Sequence, residues 1–482
     1  MASDPEDNRP TSRSFRDPDG SVVVTAERVL RSVVPAAGRS LQTALLSEAV
    51  RGFVSKGAFI ESRILEGIEA ESAAVAFNQK DSESAGRLLI EHPRVAFPSF
   101  PYEWCPEMLH AAGKLTLALA SELHKAGLGL KDATPYNILF RGQQPVFIDA
   151  ASLETRDPGD PTWLPYAQFA RTFLLPLLVS KYCRVSLRQV FLAHRDGIDP
   201  EAVYALLGVG RRLSPSFLFS VSVPTWLAGR AGARPAIYKR RLEAPEKAAF
   251  ILRSTMRHLE RQLDRAAPVS VASTWSDYME TKSYREDGFD AKERFVRAAL
   301  ERNRASAVLD IGCNTGHFSG LAATHGTQVV AVDSDSVCVG RTYERAVANS
   351  LSILPLVADI SRPSPAMGWR NQEQASLISR LSGRFDLVLM LAVLHHLLVT
   401  ERVPLSDVLK LAAELTTDLL VLEYVGPADA MFKRLLRGRD ELYSHVTVAW
   451  FEAVCREHFE IVESKSLEPL DRRLYLLRKK TP

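Results

Sequence analysis

With 482 residues, 46% of them hydrophobic and 24% charged, the chain has the composition of packed globular protein and the length of two or three domains, not of a disordered polymer. A formal net charge of +3 is too weak, without basic residues gathered on one face, to argue for a nucleic-acid partner. Five scattered cysteines with no Cys-x-x-Cys pair argue against disulfides or a structural metal, and no apolar run reaches the roughly 18 residues of a membrane span, so a cytoplasmic protein is expected.

Residues 1–13 are polar, carry both charge signs, and read as a flexible tail rather than a secretory leader. The β-branched runs Gly20–Thr25 and Arg28–Val33 follow Asp, Pro and Gly turn residues and read as a β-hairpin. Mixed helical and irregular structure is expected over 41–77, and an extended segment from Pro93 to Pro101. Apolar residues at helical spacing predict a helix over 107–126. Two short strands, Ile138–Phe140 and Pro145–Asp149, come next, and helices dominate 163–265. Within that stretch Arg230, Arg234, Lys239, Arg240 and Arg241 form a basic run that reads as a solvated face.

Around the two short strands, Asp132 and Asn137 are spaced D-x-x-x-x-N, and Asp149 ends the second strand. This spacing resembles that of protein kinases and aminoglycoside phosphotransferases. The resemblance implies a proton-accepting Asp132, with Asn137 and Asp149 as Mg²⁺ ligands. Lys131 and Ala150 depart from the pattern, and no G-x-G-x-x-G loop or strand lysine stands near Gly20 to Val33. Two readings stay open: a kinase-like site, and an Asp/Asn network bonded to local backbone. The three residues are expected to cluster, with side chains filling the cleft.

Small residues from Ala266 to Thr274 mark a boundary. The expected organisation is an N-terminal α+β domain over 14–265, a linker over 266–274 and an α/β domain over 275–482. In the last of these, strand and helix alternate as in a parallel sheet.

Ala307-Val-Leu-Asp-Ile-Gly-Cys-Asn-Thr-Gly-His317 puts a short apolar strand, bearing Asp310, before a loop held by Gly312 and Gly316, with Cys313 and Asn314 between them. Glycine lets backbone approach a ligand closely. The spacing is G-x-x-x-G rather than the dinucleotide G-x-G-x-x-G. Asp310 would repel a pyrophosphate but attract the cationic amino group of S-adenosylmethionine (SAM). Asp333 ends a second strand about 20 residues on, where an acid suits ribose hydroxyls. Asp359 ends a third strand, placed to accept from an adenine amino group. Phe385–Ala392 precedes His395 and His396, Asp418–Glu423 ends in a carboxylate, and Phe459–Glu463 with Arg473–Arg478 reads as a terminal antiparallel hairpin.

This order of motifs resembles the class I SAM-dependent methyltransferases, whose Rossmann-like seven-stranded sheet ends in a reversed hairpin. The resemblance covers about Trp275 to Lys480. Asn314 departs from a frequent middle glycine, although Asn tolerates left-handed backbone. It implies SAM as cofactor, held by Asp310, Gly312, Cys313, Asn314, Gly316, Asp333 and Asp359. His395 and Glu423, both expected to face the pocket, are the candidate catalytic bases, and His396 reads as a packing or adenine-lining residue. No Asn/Asp-Pro-Pro-Tyr element follows the fourth strand, which disfavours amide or exocyclic-amine methylation. With Phe15–Gly20, Phe100–Trp104 and Leu130–Ala133 included, the whole chain resembles a bacterial family of methyltransferases related to the rhizobial nodulation protein NoeA. The expected function is methyl transfer to a hydroxyl-bearing small molecule or saccharide, recognised by the front domain. The alternatives are a bifunctional protein with added phosphotransferase activity and a non-catalytic SAM- or nucleotide-sensing protein. The oligomeric state stays open.

Overall fold

The computed structural model describes residues 12–14, 17–25, 28–77, 86–228, 241–269 and 286–480. Most of the expected tail (1–11), of the basic run (229–240) and of the linker (270–274) lies outside the described residues. Contacts divide the chain into two compact units, 1–269 with 368–373, and 270–367 with 374–482. Among the described residues no helix is long and apolar enough to cross a membrane.

The front unit opens with an antiparallel sheet. Its strands are β1 (Ser12–Ser14), β2 (Gly20–Val24), β3 (Arg28–Val33), β4 (Arg63–Ile64) and β5 (Leu88–Pro93), in the order β1-β2-β3-β5-β4. β2 and β3 pair from Gly20 opposite Val33 to Val24 opposite Val29, so the β-branched runs do form adjacent strands. A helix, Pro106–Lys125, begins on a proline whose missing N–H costs nothing at a helix start. It buries Met108, Leu109, Ala112, Leu119 and Leu123 at helical spacing. β6 (Leu128–Leu130) then pairs with β9 (Leu153–Thr155), and β7 (Ile138–Arg141) pairs with β8 (Gln144–Phe147). These two short ladders bring the segment 131–137 to the same place as Asp149. A long helix, Pro245–Ala266, follows, burying Leu252, Met256, Leu259 and Leu263.

In the second unit the continuous apolar runs become strands buried on both faces, the pattern of a parallel sheet covered by helices. They are β10 (Ala307–Ile311), β11 (Gln328–Asp333), β12 (Ile353–Val357), β13 (Phe385–Met390) and β14 (Thr416–Val425), followed by β15 (Phe459–Ser466) and β16 (Arg472–Lys479). The sheet order is β12-β11-β10-β13-β14-β16-β15, and β16 alone runs against its neighbours. Val308, Leu387, Leu389 and Val421 are fully buried in one core cluster. Each such side chain contributes about 1.5–3 kcal/mol. The chain runs outward from β10 through β11 to β12 and then returns to β13 on the other side of β10. That reversal opens a crevice beyond the carboxyl ends of β10 and β13, where open α/β sheets bind ligands.

Candidate cofactor and active site

A cavity of about 310 Å³ lies at this reversal. Asp310, Gly312, Cys313, Asn314, Asp333, Asp359 and His395 all line it; Gly316 and Glu423 do not.

The loop after β10 is held by backbone demands that the sequence meets. Gly312 has φ +75°, and a Cβ there would stand 2.2 Å from Cγ2 of Val393. Gly316, at φ +74°, precedes the helix His317–Ala323, and its Cβ would stand 2.6 Å from Cγ2 of Thr342. Asn314 is itself left-handed, at φ 49°. Its side-chain oxygen accepts from Thr315 N at 2.7 Å, the local bonding that makes Asn tolerable there. The Gly312 and Cys313 amides donate to Val332 O at 2.7 and 3.1 Å, tying the loop to β11.

Three carboxylates end the adjacent strands. Asp310 is 2% exposed, and Ser319 Oγ donates to it at 2.6 Å. Burial pushes its carboxyl up to about 6, against the pull of the serine hydroxyl. Asp333 accepts from Asn314 N and Asp335 N, both at 2.9 Å. Burial raises it as well, and those backbone donors oppose the shift. Asp359 Oδ1 accepts from Ser361 N and Oγ at 2.9 and 2.6 Å, which leaves Oδ2 without a protein partner among the described residues. The Cys313 thiol is held well above its ordinary value by burial, which disfavours the thiolate.

His395 follows β13 and precedes a π-helical turn, His396–Thr400. It is 2% exposed, its ring lies 4.2 Å from that of His396, and its Nδ1 is buried without a hydrogen-bond partner. Burial, then the nearby His396 and Arg472, lower its pKa to about 3, so the imidazole is neutral at physiological pH.

Glu423 corrects the expectation of a pocket-facing base. It is fully buried on β14; Lys292 Nζ lies 2.5 Å from Oε2 and Arg472 Nη1 lies 3.1 Å from Oε1. Arg472 also grips Asp429 through Nε at 2.7 Å and Nη2 at 3.1 Å. Asp429 in turn caps the helix Ala430–Leu436 by accepting from Met431 N at 2.8 Å. A strand-end carboxylate suggests a ligand site, but its occupants here are two cations from distant sequence.

Sequence reading missed those cations. Lys292, on the helix Glu286–Asn303, lines the cavity, as do Met431 and Glu401. His317 also lines it, with Nε2 3.0 Å from Glu293 Oε2. Apart from His317, which closes the glycine-loop motif, none of these stands in a local motif. The one usable signal was that a carboxylate buried at a strand end requires a positive partner.

In the front unit, Ile148 N donates to Asn137 O at 2.8 Å, which joins the segment 131–137 to the strand end at Asp149. Asp132 accepts from Gln168 Nε2 at 3.2 Å. Burial raises its carboxyl, and the neighbouring charges of Asp149 and Asp17 push the same way. Asp149 is ion-paired with Arg31 of β3 at 2.9 Å, and Lys131 is paired with Asp19.

Residues 284–470 match the family model described as "Methyltransferase domain". With the strand order and the acid-lined cavity, this defines a class I, SAM-dependent methyltransferase domain. Along nearly its whole length the chain is related to the nodulation protein NoeA of Rhizobium meliloti (strain 1021), at 27% identity over 464 residues, 96% of this chain and 94% of that one. Among solved structures, the N-methyltransferase NodS from Bradyrhizobium japonicum WM9, in complex with S-adenosyl-l-homocysteine, is 17% identical with a TM-score of 0.31 over 47% of this chain and 98% of that one. The bifunctional kinase-methyltransferase WbdD is 17% identical with a TM-score of 0.30 over 43% of this chain and 42% of that one.

Proposed function

We propose that the chain methylates a hydroxyl group of a small molecule or saccharide, with His395 taking the proton. The observation that carries this reading is a buried, neutral imidazole with an unpartnered Nδ1, lining the same cavity as the three strand-end carboxylates.

The lining suits SAM. Asp310 places negative charge beneath the glycine-held loop, against which a cationic amino group is attracted. Asp333 retains lone pairs for ribose hydroxyls, and Asp359 Oδ2 has capacity to accept from an adenine amino group. When bound, SAM supplies an activated methyl on a sulfonium, whose electron pair returns to sulfur as the bond to the acceptor oxygen forms. The protein aligns the acceptor and removes its proton. His395 suits that task because its imidazole lines the cavity and its Nδ1 has no hydrogen-bond partner among the described residues. Glu423, outside the lining and held by Lys292 and Arg472, is read as anchoring the cavity residue Lys292 rather than reacting.

The phosphotransferase alternative is disfavoured by the Arg31–Asp149 ion pair, which places a guanidinium where a metal ligand would need a free carboxylate. A panel of saccharides and small alcohols incubated with methyl-labelled SAM tests the proposal. Label in a base-stable ether supports hydroxyl methylation, and label only on amines sinks it.

A further inference from the structure

A groove of about 810 Å³ lies in the second unit, apart from the cofactor cavity. The π-helical turn is the wall between them: His396, Leu397 and Thr400 line the cavity, whereas Leu398, Val399 and the following Arg402 and Val403 line the groove. The groove is walled by Leu398, Val403, Leu435, Leu442, Trp450 and Val454. Leu442 remains 65% exposed. Tyr443 Oη donates to Leu398 O at 3.3 Å and clips the two walls together. An open, largely apolar concavity of this size is the kind of surface that ligands occupy.

Charge selects the occupant. Arg402 and Arg439 line the groove, and both are exposed. Lys433, Arg434 and Arg437 follow along the same stretch of chain, and Glu457 is the one acid in the lining. None of these five cations is ion-paired among the described residues. Arg402 and Arg437 also adopt left-handed backbone, at φ 57° and 52°, where Gly or Asn would be less strained. Leu398, Val403, Leu435, Leu442 and Val454 form an aliphatic stretch that suits an alkyl chain, and Arg402 and Arg439 beside it favour an anionic head over a neutral or cationic one.

We propose that this groove binds a single-chain anionic amphiphile, its alkyl chain on the aliphatic walls and its anionic head between Arg402 and Arg439. The site is separate from the methyl-transfer cavity and stands whatever the acceptor proves to be.

Calorimetric titration of the full chain with dodecanoate, below its micellar range, is the test, run beside dodecyltrimethylammonium and vesicles of anionic phospholipid. Dodecanoate is expected to bind, dodecyltrimethylammonium to bind at least about tenfold more weakly, and the Arg402→Glu/Arg439→Glu variant to lose at least about tenfold in dodecanoate affinity. That variant lies outside the cofactor cavity, so unchanged SAM affinity shows that it is folded. Equal binding of the cationic amphiphile, dodecanoate binding untouched by charge reversal, or binding to vesicles without binding to dodecanoate would each overturn the proposal.

Discussion

Lys292 Nζ lies 2.5 Å from Glu423 Oε2, both groups are buried, and Arg472 closes the other side of the same carboxylate. Two cations, Glu423 and Asp429 make a neutral cluster, and its members come from a helix, two strands and a helix cap. Removing one member of such a cluster leaves a buried charge unanswered, which costs about 3–5 kcal/mol. Glu423→Gln is therefore expected to lower the midpoint of chemical denaturation markedly. Its turnover per folded molecule should stay within a few-fold of wild type. Wild-type stability with collapsed turnover would show that Glu423 reacts after all.

Asp333 both accepts from the Asn314 amide and retains capacity for ribose hydroxyls. Asp333→Ala should weaken SAM binding by about 2–4 kcal/mol, the worth of charge-assisted hydrogen bonds. Asp333→Asn, which keeps one carbonyl oxygen, should lose less. Calorimetry on both variants checks the order, and unchanged affinity in Asp333→Ala would rule out the placement.

His395 is lowered to about 3, and His92 and His124 to about 4, each chiefly by burial. The unfolded chain then binds protons that the folded chain refuses. The stability these histidines contribute is complete above about pH 6.5 and is lost as pH falls toward their folded values. Asp310, raised to about 6, works in the opposite sense over part of that window. Comparing wild type with His395→Gln isolates one group. The variant should show a shallower loss of stability between pH 6.5 and 4.5 in urea denaturation. Parallel curves would contradict the burial of a neutral His395.

In the front unit, the pairing of Arg31 with Asp149 predicts that calorimetry finds no tight, metal-dependent binding of Mg-ATP. Arg31→Ala, which releases the carboxylate, is the variant in which weak binding would first emerge. Tight binding by the unaltered chain would restore the phosphotransferase reading.

Much of the second unit was legible because its signals are local. Apolar runs ending at Asp310, Asp333 and Asp359 announce buried parallel strands, and the positive φ of Gly312, Asn314 and Gly316 rests on residues that tolerate it. The Lys292–Glu423–Arg472 cluster was not legible. Its partners are separated by 131 and 49 positions, and no spacing rule links them. The front segment lay between these cases. The D-x-x-x-x-N spacing singled out the segment whose Asn137 carbonyl accepts from Ile148 N beside Asp149, but nothing in it announced Arg31, on a strand more than a hundred residues earlier, as the partner of Asp149.

The proposed role of His395 is to take the acceptor's proton during methyl transfer. Its most direct measurement is the single-turnover rate of His395→Ala against wild type, with SAM saturating and a hydroxyl acceptor drawn from the labelled panel. The variant is expected to react roughly 10²–10⁴-fold more slowly with SAM affinity unchanged. A variant that binds SAM normally and transfers methyl at the wild-type rate would contradict it.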